Sequence, residues 1–385
     1  MPNFSAKWGL MEQLQAVAAG TWTGLPTYEL YAWGYNVNGQ LGFGDVTRRS
    51  SPVQVGSLTT WSQVSAGRNF SLALSNDGYA YGWGLNSSGQ LGNSTTVNSS
   101  SPVQIGSLNT WGDIQAGGVH GLAIKTDGTL WSWGNNSRGS IGDNTTIYRS
   151  SPVQVGALTN WAQISASVYS SASIKTDGTL WTWGSNSNGG LGDGTTANRS
   201  SPIQVGALTD WAQVSLHPTA SDTFCIAVKT DGTLWSWGRN SNGQLGRGNI
   251  IELSSPAQVG ALTNWLKPST GASHVIALKT DGTLWSWGRN SNGQLGQGNT
   301  IDRSSPVQVG ALTNWSIKMG TGDNLSSAIK ADGTLWAWGN NFAGGLGDNN
   351  VVFRSSPVQI GALTAWSQVS GGNGFTTAIL QGSSN

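Results

Sequence analysis

The 385-residue chain carries 19 lysines and arginines against 18 aspartates and glutamates, a net charge of +1, with 56 glycines and 21 tryptophans. A near-neutral chain has no long-range field to gather phosphates, which argues against a dedicated nucleic-acid binder. No apolar run reaches the ~18 residues of a membrane span, the one cysteine, Cys225, leaves no intrachain disulfide, and the amino end lacks the charged-then-apolar order of a secretory signal.

Residues 1–27 read as a leader. Ser5 is placed to cap a helix over 6–19, which Gly20 would end. Trp8, Met11 and Leu14 follow helical spacing, as do Leu10, Leu14 and Val17. With Phe4, the residues Trp8, Met11, Leu14 and Val17 make this leader a candidate attachment segment, through which the chain would dock on a partner or form oligomers.

From residue 28 the sequence repeats. Trp-Gly recurs at Trp33, Trp83, Trp133, Trp183, Trp237, Trp287 and Trp338, a period of about 50 residues. Ser-Pro-x-Gln-[Val/Ile]-Gly recurs with prolines from Pro52 to Pro357, and a second tryptophan series runs from Trp61 to Trp366. Asp-Gly recurs only six times, from Asp77 to Asp332. The last repeat run is Phe375–Leu380, where an Asp-Gly should follow, and the first is Tyr28-Glu29-Leu30, which normally follows that turn. A closed ring explains a unit divided between the two ends; a linear solenoid does not.

Within a unit, Trp61–Ser65 and Phe70–Leu74 alternate with period two. Asp-Gly between two such runs is a hairpin signal. The Pro-Val-Gln-Val segment reads as a fourth strand, with its leading proline at the strand start. The expected fold is therefore all-β: a seven-bladed β-propeller over 28–385, four short strands per blade, the last blade closed by strands from both termini, with a helical leader. The seven Trp-Gly indoles are the expected wedge fillers between blades.

The search for chemistry finds no metal-ligand cluster, no cofactor motif and no catalytic constellation. His120 and His274 share a slot that holds Phe70, Ser170 or Phe375 elsewhere, which suits packing better than base catalysis. His217 reads as a polar surface residue. The insertion is placed in the 216–224 loop and nowhere else between a strand-initial Trp and its Asp-Gly. The Asp/Asn/Gly runs at 192–196 and 347–350 read as turns. Binding on such a scaffold belongs to its variable loops. One set lies between the first two strands and supplies Phe70, His120, Tyr169, His217, Asp222, Phe224 and His274. The other precedes each Ser-Pro and supplies Tyr148 and Phe353.

The string Lys-Thr-Asp-Gly-Thr-Leu-Trp-Ser-Trp-Gly-Arg-Asn-Ser-Asn-Gly-Gln-Leu-Gly, at 229–246 and again at 279–296, resembles the repeat of the regulator of chromosome condensation family. The resemblance covers about 28–380. It implies a seven-bladed propeller closed by both termini, and the nuclear founding member is a nucleotide exchange factor for a small GTPase. That member's basic tail and wedge-like insertion have no counterpart here. Nor does the Gly-Trp-Arg-His-Thr motif of the similar plant ultraviolet photoreceptor.

Uniform repeats, low in charge and rich in Gly, Asn, Ser and Thr, point to a bacterial or phage member of this family. The expectation is a non-enzymatic binding or structural propeller, virion-associated or on a cell surface, serving decoration, fibre or receptor binding. Its partner would be a virion or cell-surface protein. Without a signal peptide, a cellular version would be cytoplasmic. The first alternative is an intracellular protein-interaction regulator, such as a GTPase exchange factor or an enzyme inhibitor. A basic or acidic face on the folded ring would favour it, and overall neutrality argues against it. The second is a glycan-binding or enzymatic propeller.

Overall fold

The computed structural model describes residues 26–218 and 223–382. It contains seven four-stranded antiparallel sheets. Six blades are continuous in sequence and occupy 61–104, 111–154, 161–204, 211–258, 265–308 and 315–359, here blades one to six. Blade seven takes two strands from each end. β1 (Tyr28–Gly34) pairs with β28 (Phe375–Gln381), flanked by β2 (Arg49–Gln54) and β27 (Trp366–Gly371). The ring closure read from the divided repeat is what the fold contains.

Each blade starts at the centre. Its strand-initial tryptophan opens the innermost strand, and neighbouring blades touch there and through the next strand. The up-and-down order places connections alternately on two faces. One face, the turn face, carries the Asp-Gly turns and the links between blades. The other, the loop face, carries the connection from first to second strand and the long connection from third to fourth. Both variable loop sets therefore share the loop face.

The outer strands differ from expectation. They begin three residues before the proline, as in Arg49–Gln54 and Arg149–Gln154. The ladder jumps from Ala32↔Val53 to Gly34↔Arg49, so Pro52 sits inside a register shift on an edge strand. A missing N–H is tolerated there because no partner needs it.

The Trp-Gly indoles are buried to within 1%. Each indole Nε1 donates to a carbonyl of the preceding blade: Trp83 to Gln40 O at 2.9 Å, Trp133 to Gln90 O at 2.9 Å, and Trp33 to Gly345 O at 3.0 Å across the closure. The wedge thus stays apolar while its polar atom joins two blades. A glycine makes room for each ring. At Gly92, φ is +68° and an added Cβ would lie 2.8 Å from the Trp133 Nε1. The tryptophan two residues earlier in the same strand behaves differently. Trp131 is half-buried, lies edge-on to Trp111 and carries the Lys125 ammonium 3.6 Å above its ring. Lys175, Lys229, Lys279 and Lys330 repeat this stack.

Candidate functional site

The long loop-face connections hang on a buried asparagine three residues after each Trp-Gly tryptophan. Asn186 Oδ1 accepts from the Leu191 amide at 2.9 Å, while its Nδ2 donates to Asp193 Oδ1, Thr195 O and Ala197 O. Asp193 is in turn clamped by Arg199 at 2.6 Å, and Asp143–Arg149 and Asp348–Arg354 repeat the clamp. The acidic turns read at 192–196 and 347–350 are thereby locked by arginine. Beyond the clamps the loops present exposed side chains: Tyr148 and Phe353 at 49% and 45%, with Val97, Ile147, Ile251, Ile301 and Val352.

Charge is sorted between the faces. Every arginine lies in a loop-face connection or at the loop-face end of an outer strand. Every lysine except Lys7, which is outside the described residues, lies towards the turn face, with the six Asp-Gly aspartates. Arg48, Arg68, Arg138, Arg247 and Arg289 are exposed on the loop face and form no ion pair among the described residues, with Arg48 stacked 4.7 Å over Tyr35 and Arg138 5.0 Å over Tyr169. The loop face also holds seven described carboxylates (Asp45, Asp143, Asp193, Glu252, Asp302, Asp323 and Asp348), so its arginines leave it with a modest basic excess that the whole-chain charge conceals.

The structure redistributes the other predicted contact residues. Phe70 and Phe224 are second-strand residues buried at 0% and 2%, so they pack rather than contact. His120 and His274 are also strand residues at 0% exposure. Ser171 Oγ donates to Ser140 O, so it accepts the bond from His120 Nε2, 2.9 Å away. Ser326 stands likewise between Gln294 O and His274 Nε2. Each imidazole is thus the donor, the reverse of a base activating a serine. Burial lowers the pKa of His120 to about 4 and of His274 to about 3, keeping both neutral. Tyr169 is half-buried at the loop face. Asp222 and the leader residues Phe4, Trp8, Met11, Leu14 and Val17 lie outside the described residues.

His217 is 2% exposed and not a surface residue. Its ring nitrogen Nε2 lies 3.2 Å from Thr321 O of blade six, and the backbone at Pro218 approaches Gly118 of blade two. The start of the expanded loop therefore crosses the loop-face mouth of the central channel. A second insertion escaped the sequence reading. The innermost strand of blade six, Trp315–Thr321, holds one extra residue, and its register shifts between Trp315 and Met319. The resulting bulge leaves Ile317 50% exposed.

Below that mouth the innermost strands line the channel. They are joined by side chains. The Oε1 atoms of Gln63, Gln163 and Gln368 accept from the Ile114, Val214 and Val64 amides of the following blades at 2.9–3.2 Å. Ser65, Ser165 and Ser370 do the same towards Ala116, Leu216 and Ala66. No group of three or more His, Cys, Asp or Glu side chains is placed to hold a metal among the described residues. Burial pushes the Cys225 thiol well above its ordinary pKa, which suppresses the reactive thiolate.

Comparison with known proteins gives the family. The family model described as RCC1-like domain matches residues 11–321, and that of the regulator of chromosome condensation (RCC1) repeat matches 332–379. The fold matches human WBSCR16 with a TM-score of 0.82 at 20% identity, over 92% of this chain and 99% of that one. It matches Prp20p of Saccharomyces cerevisiae, a structure described with its binding properties to Gsp1p and histones, with a TM-score of 0.81 at 19% identity, over 93% and 92%. The yeast protein bound to Kap60 gives 0.81 at 18% identity, over 93% and 90%. No curated protein matches the sequence.

These relatives overturn the bacterial or phage assignment, and with it the virion or surface role, the virion or cell-surface partner and the corresponding location. The composition behind that expectation has a local cause. Most glycines adopt positive φ in turns, and the asparagines tether loops, so both record blade geometry rather than origin. The chain belongs to the RCC1-like domain family.

Proposed function

We propose that this chain is a non-enzymatic protein-interaction regulator that binds a folded protein through its loop face, with a small GTPase as the first partner class to test. The observation that carries the reading is the convergence of both variable loop sets and all arginines on one face. Loops on a rigid ring are where recognition resides. Arginine and aromatic side chains are the residues most often dominant in protein interfaces. A basic face favours an acidic partner surface and speeds its encounter. The exchange activity of the founding member and the binding of Prp20p to Gsp1p support the same class of partner.

The test is calorimetric titration of the intact chain with Gsp1p and a panel of small GTPases, in nucleotide-bound and nucleotide-free form. A saturable complex that weakens at least tenfold in Tyr148→Ala/Phe353→Ala, and not in the turn-face variant Leu58→Ala, is the expected result. Binding weakened only by Leu58→Ala, or no complex with any GTPase, would overturn the assignment.

A further inference from the structure

The channel wall departs from its own repeat in blades two, four, five and six; in blade six the bulged strand puts Ile317 and Lys318, both exposed at the turn-face groove, where the glutamine would stand. The glutamine slot, two residues after the strand-initial tryptophan, holds Asp113 in blade two and Lys267 in blade five. In blade four it holds Gln213, but the amide that it would meet belongs to Pro268, which has no N–H. Asp113 and Gln213 accept from Gln63 and Gln163 of the preceding blade, at 2.7 and 3.3 Å, but among the described residues neither they nor Lys267 bond a following-blade amide as Gln63, Gln163 and Gln368 do.

Asp113 and Lys267 stand three blades apart in a ring of seven, so they face each other across one cavity of about 320 Å³. Asp113 accepts from Gln63 Nε2 at 2.7 Å through Oδ1, the Ile114 amide also lies against its carboxylate, and among the described residues no other side chain engages it. Lys267 has no hydrogen-bond or ion-pair partner among the described residues. The two do not neutralise each other, because no ion pair within 4 Å joins them. Removal from bulk water raises the Asp113 pKa and lowers that of Lys267, so each charge gains from an opposite one brought to it. His217 and Pro218 form the floor. Lys267, Met319 and Gln368 also line a groove of about 580 Å³ at the turn face, which supplies the way in.

We propose that the channel is a binding site for a small zwitterion, in class an aliphatic amino acid, with its ammonium on Asp113 and its carboxylate on Lys267. Two opposed charges at fixed separation select both the sign and the length of the ligand. The Gln213 amide and the serines deeper in the wall supply neutral polar contacts between them. The site opens to the turn face, and its floor of His217 and Pro218 separates it from the loop face.

The experiment is titration calorimetry on the intact chain with glycine, β-alanine, 4-aminobutanoate and 6-aminohexanoate, with acetate and butylammonium as single-charge controls. One member of the series is expected to bind at least tenfold tighter than either control. That binding falls at least tenfold in Asp113→Gln and in Lys267→Gln, each of which installs the residue other blades use. Asp113→Asn, which replaces one oxygen by nitrogen, keeps the comparison decisive if the longer side chain disturbs the strand. No saturable binding by any member, controls as tight as the zwitterions, or variants that bind like the parent chain would each overturn the site.

Discussion

At the residue scale the three histidines act through their neutrality. His120 has a pKa near 4 in the fold, and His217 and His274 near 3, all because burial disfavours the cation. The unfolded chain titrates near 6.5 and so binds more protons between these values. Stability is therefore full above pH 6.5 and falls as pH drops, by roughly 3 kcal/mol per histidine at pH 4. Thermal melts from pH 7 to 4 check this. His120→Phe and His274→Phe, which use the residue present in blades one, four and seven, are expected to flatten the dependence. An unchanged pH profile in the double variant would contradict the burial argument. At the wedge, Gly92→Ala forces a Cβ against the Trp133 indole at an already left-handed φ. The expected cost is about 2 kcal/mol or more, read as a shift in the denaturation midpoint. Trp133→Ala is expected to cost about 3–5 kcal/mol and to remove the bond to Gln90 O.

At the element scale, closure depends on β28, which pairs with both β1 and β27. Deleting 375–380 removes the centre of blade seven and leaves two edges unpaired. The expected result is loss of cooperative unfolding in a thermal melt, and an unchanged Tm would contradict ring closure by this strand. Strand number and closure were legible in the sequence because the six-member Asp-Gly series marks where the ring is cut. The outer-strand start was not, because Pro52 reads as a boundary unless the register shift beside it is seen. The burial of His217 was equally hidden: an insertion next to a proline looks like an exposed loop, and only the ring brings Thr321 and Gly118 over it. The glutamine, serine and asparagine side chains that join blades and tether loops stand at fixed repeat positions. Their spacing shows in the sequence, but their partners lie about 50 residues away, in the following blade, or across a turn.

At the scale of the whole molecule, the ring divides its chemistry between two faces. Net charge, which pointed away from a charged interface, averages a basic loop face with a turn face of lysine–tryptophan stacks and acidic turns. The variable loops sit on the basic side because strand order puts both connections there. The division predicts that partner association is steered from one side only and weakens with salt.

The most direct measurement is the association rate with a GTPase partner, by stopped flow over a range of ionic strength. It would compare the parent chain, a loop-face reversal (Arg48, Arg68, Arg138 and Arg289 to Glu) and a turn-face reversal (Lys125, Lys175 and Lys279 to Glu). At least a tenfold slower rate and a flattened salt dependence are expected for the loop-face variant alone. A loss confined to the turn-face variant, or equal rates in all three chains, would contradict steering from the loop face.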